Sequence, residues 1–177
     1  MRFIIFIVVF VFSFVPASSE SRKKNSKKQN SNKIQNPLID YPKFQKIVNQ
    51  SYEVRESHRL TESQFHSAML EEGVILLDAR SENRFKLLHI KGAVNLPFTE
   101  FTEKSLNAVI PNKKTKILIY CNNNFEGDEE AFAAKAPAAS LNLSTYNSLK
   151  AYGYHNIYEL GPLLNVETTI LPLNSNK

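Results

Sequence analysis

The sequence predicts an α/β domain with a central, mostly parallel sheet flanked by helices, and three observations predict it. Residues 74–78 (VILLD) and 116–120 (KILIY) are short, continuously apolar runs, the pattern of strands buried on both faces. Stretches with helix caps and helical spacing separate them. Strand and helix alternate along the chain, which argues for parallel strands covered by helices, with ligands bound where strand C-termini meet helix N-termini.

The elements follow in order. After Met1-Arg2, residues 3–15 (FIIFIVVFVFSFV) are apolar apart from Ser13, and Pro16-Ala17-Ser18-Ser19 comes next. This is the layout of a secretory signal peptide over residues 1–19, with a cut after Ala17 or Ser19, so the expected protein is secreted or periplasmic. The apolar run is shorter than a membrane span needs, so none is expected in the mature form; an uncleaved N-terminal anchor is the alternative. Residues 20–50 read as a polar linker rich in Lys, Asn and Ser, with Pro37 and Pro42 breaking any regular element. The domain is expected over residues 51–177.

Within it, Thr61-Glu62-Ser63-Gln64 matches a capping box, in which the Thr hydroxyl accepts from the third backbone N–H and Gln reaches back. Phe65, Met69 and Leu70 give that helix its apolar face, and Gly73 its stop. Residues 74–78 form the first strand, and Ser81 caps a short helix through Leu88. Residues 93–96 are a second strand, Thr102 caps a helix containing Leu106 and Val109, and residues 116–120 are a third strand ending at Cys121. A helix over 144–152 stops at Gly153, before a strand at 156–160.

Charge and cysteine content narrow the function. Six Lys and Arg with no acid lie in residues 22–33, while from Ile34 onward 15 Lys and Arg face 16 Asp and Glu, so the net charge of +5 belongs to the linker. A nucleic-acid interface needs its positive charge on a folded face, and none is expected. The single cysteine, Cys121, excludes an internal disulfide, a C-x-x-C pair and any multi-cysteine zinc site. The four histidines show no i, i+4 pair, and no metal site can be assembled from them.

Four segments in order carry a resemblance: Leu76 to Arg80 (LLDAR), His89 to Pro97 (HIKGAVNLP), Ile117 to Cys121 (ILIYC) and Tyr152 to Leu160 (YGYHNIYEL). Together they resemble the rhodanese-like family, sulfurtransferases and their non-catalytic relatives, over roughly residues 58–164. The resemblance implies that Cys121 is the catalytic residue, taking a sulfane sulfur from a small donor as a persulfide and passing it to a thiol or protein acceptor, with no cofactor. Backbone N–H groups of Asn122, Asn123 and Asn124 would stabilise the anion. Arg80 would contact substrate, Asp78 would be the family's buried acid, and His89, paired with Asp78, would fix a chain crossing. A buried structural thiol is the alternative for Cys121, and plain turn chemistry for the three asparagines.

The sequence departs from the family in the loop after the cysteine. Members typically have about five residues there, with Gly and Arg, whereas here the next helix comes about sixteen residues late, an insertion over about 122–139. No Arg follows Arg84, and Glu126, Asp128, Glu129 and Glu130 stand in the insertion, from which a poor response to thiosulfate is expected. A C-x5-R phosphatase loop is excluded. Residues 128–135 suit a short helix lidding the cysteine; a solvated acidic loop is the alternative. Gly161-Pro162 replaces a Gly-Gly turn. The missing Arg favours a catalytically inactive binding module of the cell envelope, the retained Cys a sulfurtransferase, and a lone thiol leaves an exported thiol sensor as a third reading.

Overall fold

The structure, a computed structural model, describes residue 34 and residues 36–175. The expected signal peptide and the basic run at 22–33 lie outside the described residues. Five strands form one sheet in the order β1 (Arg59–Leu60), β7 (Ile157–Leu160), β5 (Ile117–Tyr120), β2 (Ile75–Asp78), β4 (Val94–Asn95), and every pairing in it is parallel. The two longest apolar runs supply its centre: Ile75 to Asp78 pairs in register with Ile117 to Tyr120, which pairs in turn with β7.

Alternation along these strands divides the core into two layers. Leu76, Leu118 and Leu160 pack with Phe65 of α2 (Glu62–Ala68) and with Ile90, Phe125, Phe132 and Leu171. On the other face Leu77, Ile117, Ile119 and Ile157 pack with Leu106 of α4 (Glu103–Val109) and with Tyr146 and Leu149 of α5 (Leu141–Ala151). Helices thus cover both faces, which is why the central strands read as unbroken apolar runs.

The two capping boxes form as the sequence predicts, Thr61 with Gln64 and Thr102 with Ser105. Gly153, at φ +86°, takes the left-handed angle of a helix stop just past α5, where a side chain would be strained. The expected stop at Gly73 is corrected: α2 ends at Ala68 with Met69 as its cap, so Met69 and Leu70 lie beyond the helix and Gly73, at φ +76°, belongs to the following turn. Further expectations are corrected. Ser81 precedes α3 (Glu82–Leu87) but its side chain makes no capping hydrogen bond. Helix α5 starts at Leu141, a turn early, because the 3-10 turn Pro137–Ala139 already delivers the chain to that point. Residues 128–135 contain no helix. There a single turn closes, with Phe132 N–H on Asp128 O and Ala131 N–H on Asp128 Oδ1, both at 2.8 Å, and Ala131 and Phe132 drop into the core.

Pro42 does not break a regular element; it lies in the first turn of α1 (Tyr41–Ser57), so residues 41–50 of the expected linker are helical. An N–H at that position has no intrahelical acceptor, so its absence costs nothing, and Asp40 caps the helix by accepting Lys43 N–H at 2.9 Å. Helix α1 packs on α5. Two small pairings complete the fold: β3 (His89–Ile90) antiparallel to β9 (Leu173–Asn174), and β6 (Phe125–Glu126) parallel to β8 (Leu164–Asn165). No described helix is long and apolar enough to cross a membrane.

Candidate functional site

Cys121 ends the central strand, at the carboxyl edge where a parallel sheet opens toward ligands. The chain then makes a 3-10 turn, Asn122–Asn124, and closes on itself. Cys121 N–H donates to Asn124 Oδ1 at 2.9 Å, and Asn124 N–H returns to Cys121, facing its carbonyl at 3.1 Å and its sulfur. Ser140 Oγ, just before α5, stands 3.4 Å from Sγ. Cys121 is 1% exposed, at the wall of a cavity of about 290 Å³.

The structure divides the site residues expected from the sequence between two cavities. Asn123 and Asn124 line the Cys121 cavity; Arg80 and Asn122 line a second one, of about 330 Å³, with Arg84 and Lys135. Asn124 is buried and spans the turn, its Nδ2 donating to Leu160 O at 2.8 Å and Pro162 O at 3.2 Å. Asn122 and Asn123 tie down the insertion: Asn122 Nδ2 donates to Ala133 O, and Asn123 both donates to Lys135 O and accepts Lys135 N–H. Their side chains are thereby spent on the chain itself. The first N–H groups of such a turn have no acceptor within it.

Arg80 is 2% exposed and its guanidinium is engaged, by Asp78 through Nε and Nη2, by Ala131 O at 2.9 Å and by Leu88 O at 2.8 Å. It also lies over the Phe132 ring, 4.2 Å from the centroid. Burial is the largest influence on Arg80 and works against its charge, but Asp78 and Tyr120 outweigh it and hold the guanidinium above its ordinary pKa. Asp78 also accepts from Tyr120 Oη, whose pKa burial and the Asp78 charge push well up. The expected His89–Asp78 pair does not form, because Arg80 and Tyr120 occupy the carboxylate. His89 instead stacks on Phe85 and hydrogen-bonds its carbonyl through Nδ1 at 2.7 Å.

Sequence reasoning missed the charged wall of the Cys121 cavity. Arg55 of α1, Arg59 of β1 and Glu159 of β7 line it. Arg55 reaches both Glu159 oxygens, and Arg59 Nε reaches Oε1 at 3.2 Å. Burial raises the Glu159 pKa above its ordinary value against the pull of the two arginines. The available signal was register: a parallel ladder puts Arg59, Glu159 and Ile119 in one row, two residues before Cys121. The insertion's acids lie elsewhere. Glu126, Asp128 and Glu129 line a third cavity and Glu130 lines none of the three, so none of the four acids lines the Cys121 cavity. Among the described residues no three His, Cys, Asp or Glu side chains converge to hold a metal ion.

Comparison with known proteins finds solved structures with the same fold, among them the following. A rhodanese-like domain from Anabaena sp. is 19% identical over 67% of this chain and 79% of that one, with a TM-score of 0.48. A rhodanese with anions from E. coli is 18% identical over 58% of this chain and 98% of that one, at 0.40. A thiosulfate sulfurtransferase from Pseudomonas aeruginosa is 26% identical over 66% of this chain but only 20% of that one, at 0.44. No curated protein matches. The model of the rhodanese-like domain matches residues 61–161, more than half of the sequence, and the chain belongs to the rhodanese-like domain family.

Proposed function

We propose that this is an exported rhodanese-like protein that carries sulfane sulfur as a persulfide on Cys121. The observation that carries the reading is the placement of Cys121 within the family segment: at the end of the central strand, beside a cavity, with Asn124 N–H and Ser140 Oγ around the sulfur. Both are donors that a sulfur anion would take. The Cys121 thiol gives up its proton to solvent, and the sulfur attacks the sulfane sulfur of a small donor. The Cys–S bond forms as the donor's S–S bond breaks, and the leaving group, sulfite in the case of thiosulfate, departs with the electron pair. A thiolate on a small molecule or protein then attacks the outer sulfur and regenerates Cys121. Both steps are exchanges without net oxidation.

Export rests on the signal-peptide layout of residues 1–19. Intact mass of protein from its native host tests it, since a chain beginning after Ala17 or Ser19 is expected and the full-length chain in washed membranes refutes cleavage. For the chemistry, protein treated with a sulfane-sulfur donor and freed of excess is expected to gain the mass of one sulfur atom, and Cys121→Ser none. A thiol that alkylates but never loads sulfur supports the second reading, a catalytically inactive binding module. The near-complete burial of Cys121 and the long Arg-free loop favour that alternative.

A further inference from the structure

We propose that Arg59 binds the anionic group of the molecule that reacts at Cys121, in a subsite that the N-terminal helix α1 completes. The inference rests on the sulfur-transfer reading for its donor, but not for the charge at the site. Arg55 and Arg59 both precede the segment matched by the family, residues 61–161, and both line the Cys121 cavity. Among the described residues they are its only cationic lining residues, and Glu159 is its only acidic one. The loop after Cys121 carries no Arg, and the guanidinium groups lining the Cys121 cavity come from residues outside the family segment.

The two arginines are held differently, and the difference assigns their roles. Arg55 grips Glu159 through Nε and Nη2, one to each carboxylate oxygen, the bidentate geometry that fixes a guanidinium in place. That pair neutralises itself. Arg59 makes three single contacts, each at 3.2 Å: Nε to Glu159 Oε1, Nη1 to Glu56 Oε2 and Nη2 to Gly161 O. Its side chain is 41% exposed, and Glu56, 50% exposed, does not line the cavity. A solvent-exposed pair of this kind contributes little and exchanges readily for a ligand. Arg55 is therefore the positioning residue that satisfies Glu159, and Arg59 is left to pair with an incoming carboxylate or sulfonate. The cavity's size, about 290 Å³, suits a small anion.

Paired alkylating agents read this charge directly. Iodoacetate and iodoacetamide make the same bond, displacing iodide from carbon with the Cys121 sulfur, and differ in that one is an anion. The ratio of their rate constants on the full-length protein is expected to fall roughly tenfold in Arg59→Gln, the scale of one lost charge-assisted hydrogen bond, and to persist in Arg59→Lys. The concentration of thiosulfate that half-loads Cys121 should rise by a similar factor in Arg59→Gln. An unchanged ratio, an equal fall in both rates, or a thiol inert to both reagents overturns the proposal. If the ratio depends on Arg59 while no donor loads sulfur, the subsite stands and the sulfur-transfer reading fails. If sulfur loads and the ratio ignores Arg59, the reverse holds.

Discussion

Asn124 holds Cys121 from two sides, accepting its backbone N–H on Oδ1 at 2.9 Å while its own N–H points back at the Cys121 carbonyl and sulfur. The same side chain donates to Leu160 O and Pro162 O, so it locks the turn after the central strand to the end of β7. Asn124→Ala would leave those groups buried and unpaired. A loss of about 1–3 kcal/mol of stability is expected, with slower alkylation or sulfur loading at Cys121 as the turn loosens. Urea unfolding and thiol kinetics on the same variant check both; unchanged stability would mean that the turn holds without its side-chain bridge.

Arg80 and Asp78 form a pair with neither side chain exposed, in which the guanidinium also serves two carbonyls. Arg80→Met keeps the bulk but strands a buried carboxylate, and a loss of about 3–5 kcal/mol is expected. Tyr120→Phe removes one donor to Asp78 and the acceptor of the buried Ile90 N–H but strands no charge, and should cost about 1–3 kcal/mol. Equal costs for the two would mean that the charge is not what the network serves. Urea midpoints at constant slope make the comparison.

The elements legible in the sequence were those with local signatures. The two capping boxes, the glycine stop at Gly153 and the apolar strands over 74–78 and 116–120 each state their structure within a few residues. What failed was decided by partners far away in sequence. Pro42 reads as a breaker until its place in the first turn of α1 is known. Asp78 has the right neighbour in sequence to bind Arg80, but that choice, which denies His89 its expected partner, also depends on Tyr120 from another strand. Cys121 was identifiable at a strand end; the arginines lining its cavity were not, because only the ladder register brings Arg59 into one row with Glu159, about a hundred positions away, and Arg55 arrives on α1 from outside the sheet.

Asn123 pins the insertion to the turn after Cys121 through two hydrogen bonds with the Lys135 backbone, at 2.7 and 3.1 Å. Phe125 and Phe132, both 2% exposed, anchor it below. Trypsin must pull the chain out to cut after Lys135, so native protein should be cut slowly there despite the exposed side chain. Asn123→Ala should speed that cut by about tenfold or more, since cleavage follows the population of the opened segment. Fast cutting of the unaltered protein would show that the insertion is loosely held.

Glu159 carries a pH signature whose sign separates two forces. Burial raises its pKa, and Arg55 and Arg59 lower it; burial wins. A carboxyl that is harder to ionise in the folded state than in the unfolded chain binds its proton more tightly when folded. Its contribution to stability is therefore greatest below the ordinary carboxyl range and falls as pH rises through the folded pKa, by up to about 1.4 kcal/mol per pH unit, before levelling off. Glu159→Gln has no proton to lose. Measured by urea unfolding from about pH 4 to 8, the stability of the native protein minus that of Glu159→Gln should decline with pH and then flatten. A difference that rises with pH would mean that the arginines dominate the carboxylate, and Arg59 would then be bound too firmly to Glu159 to serve an incoming anion.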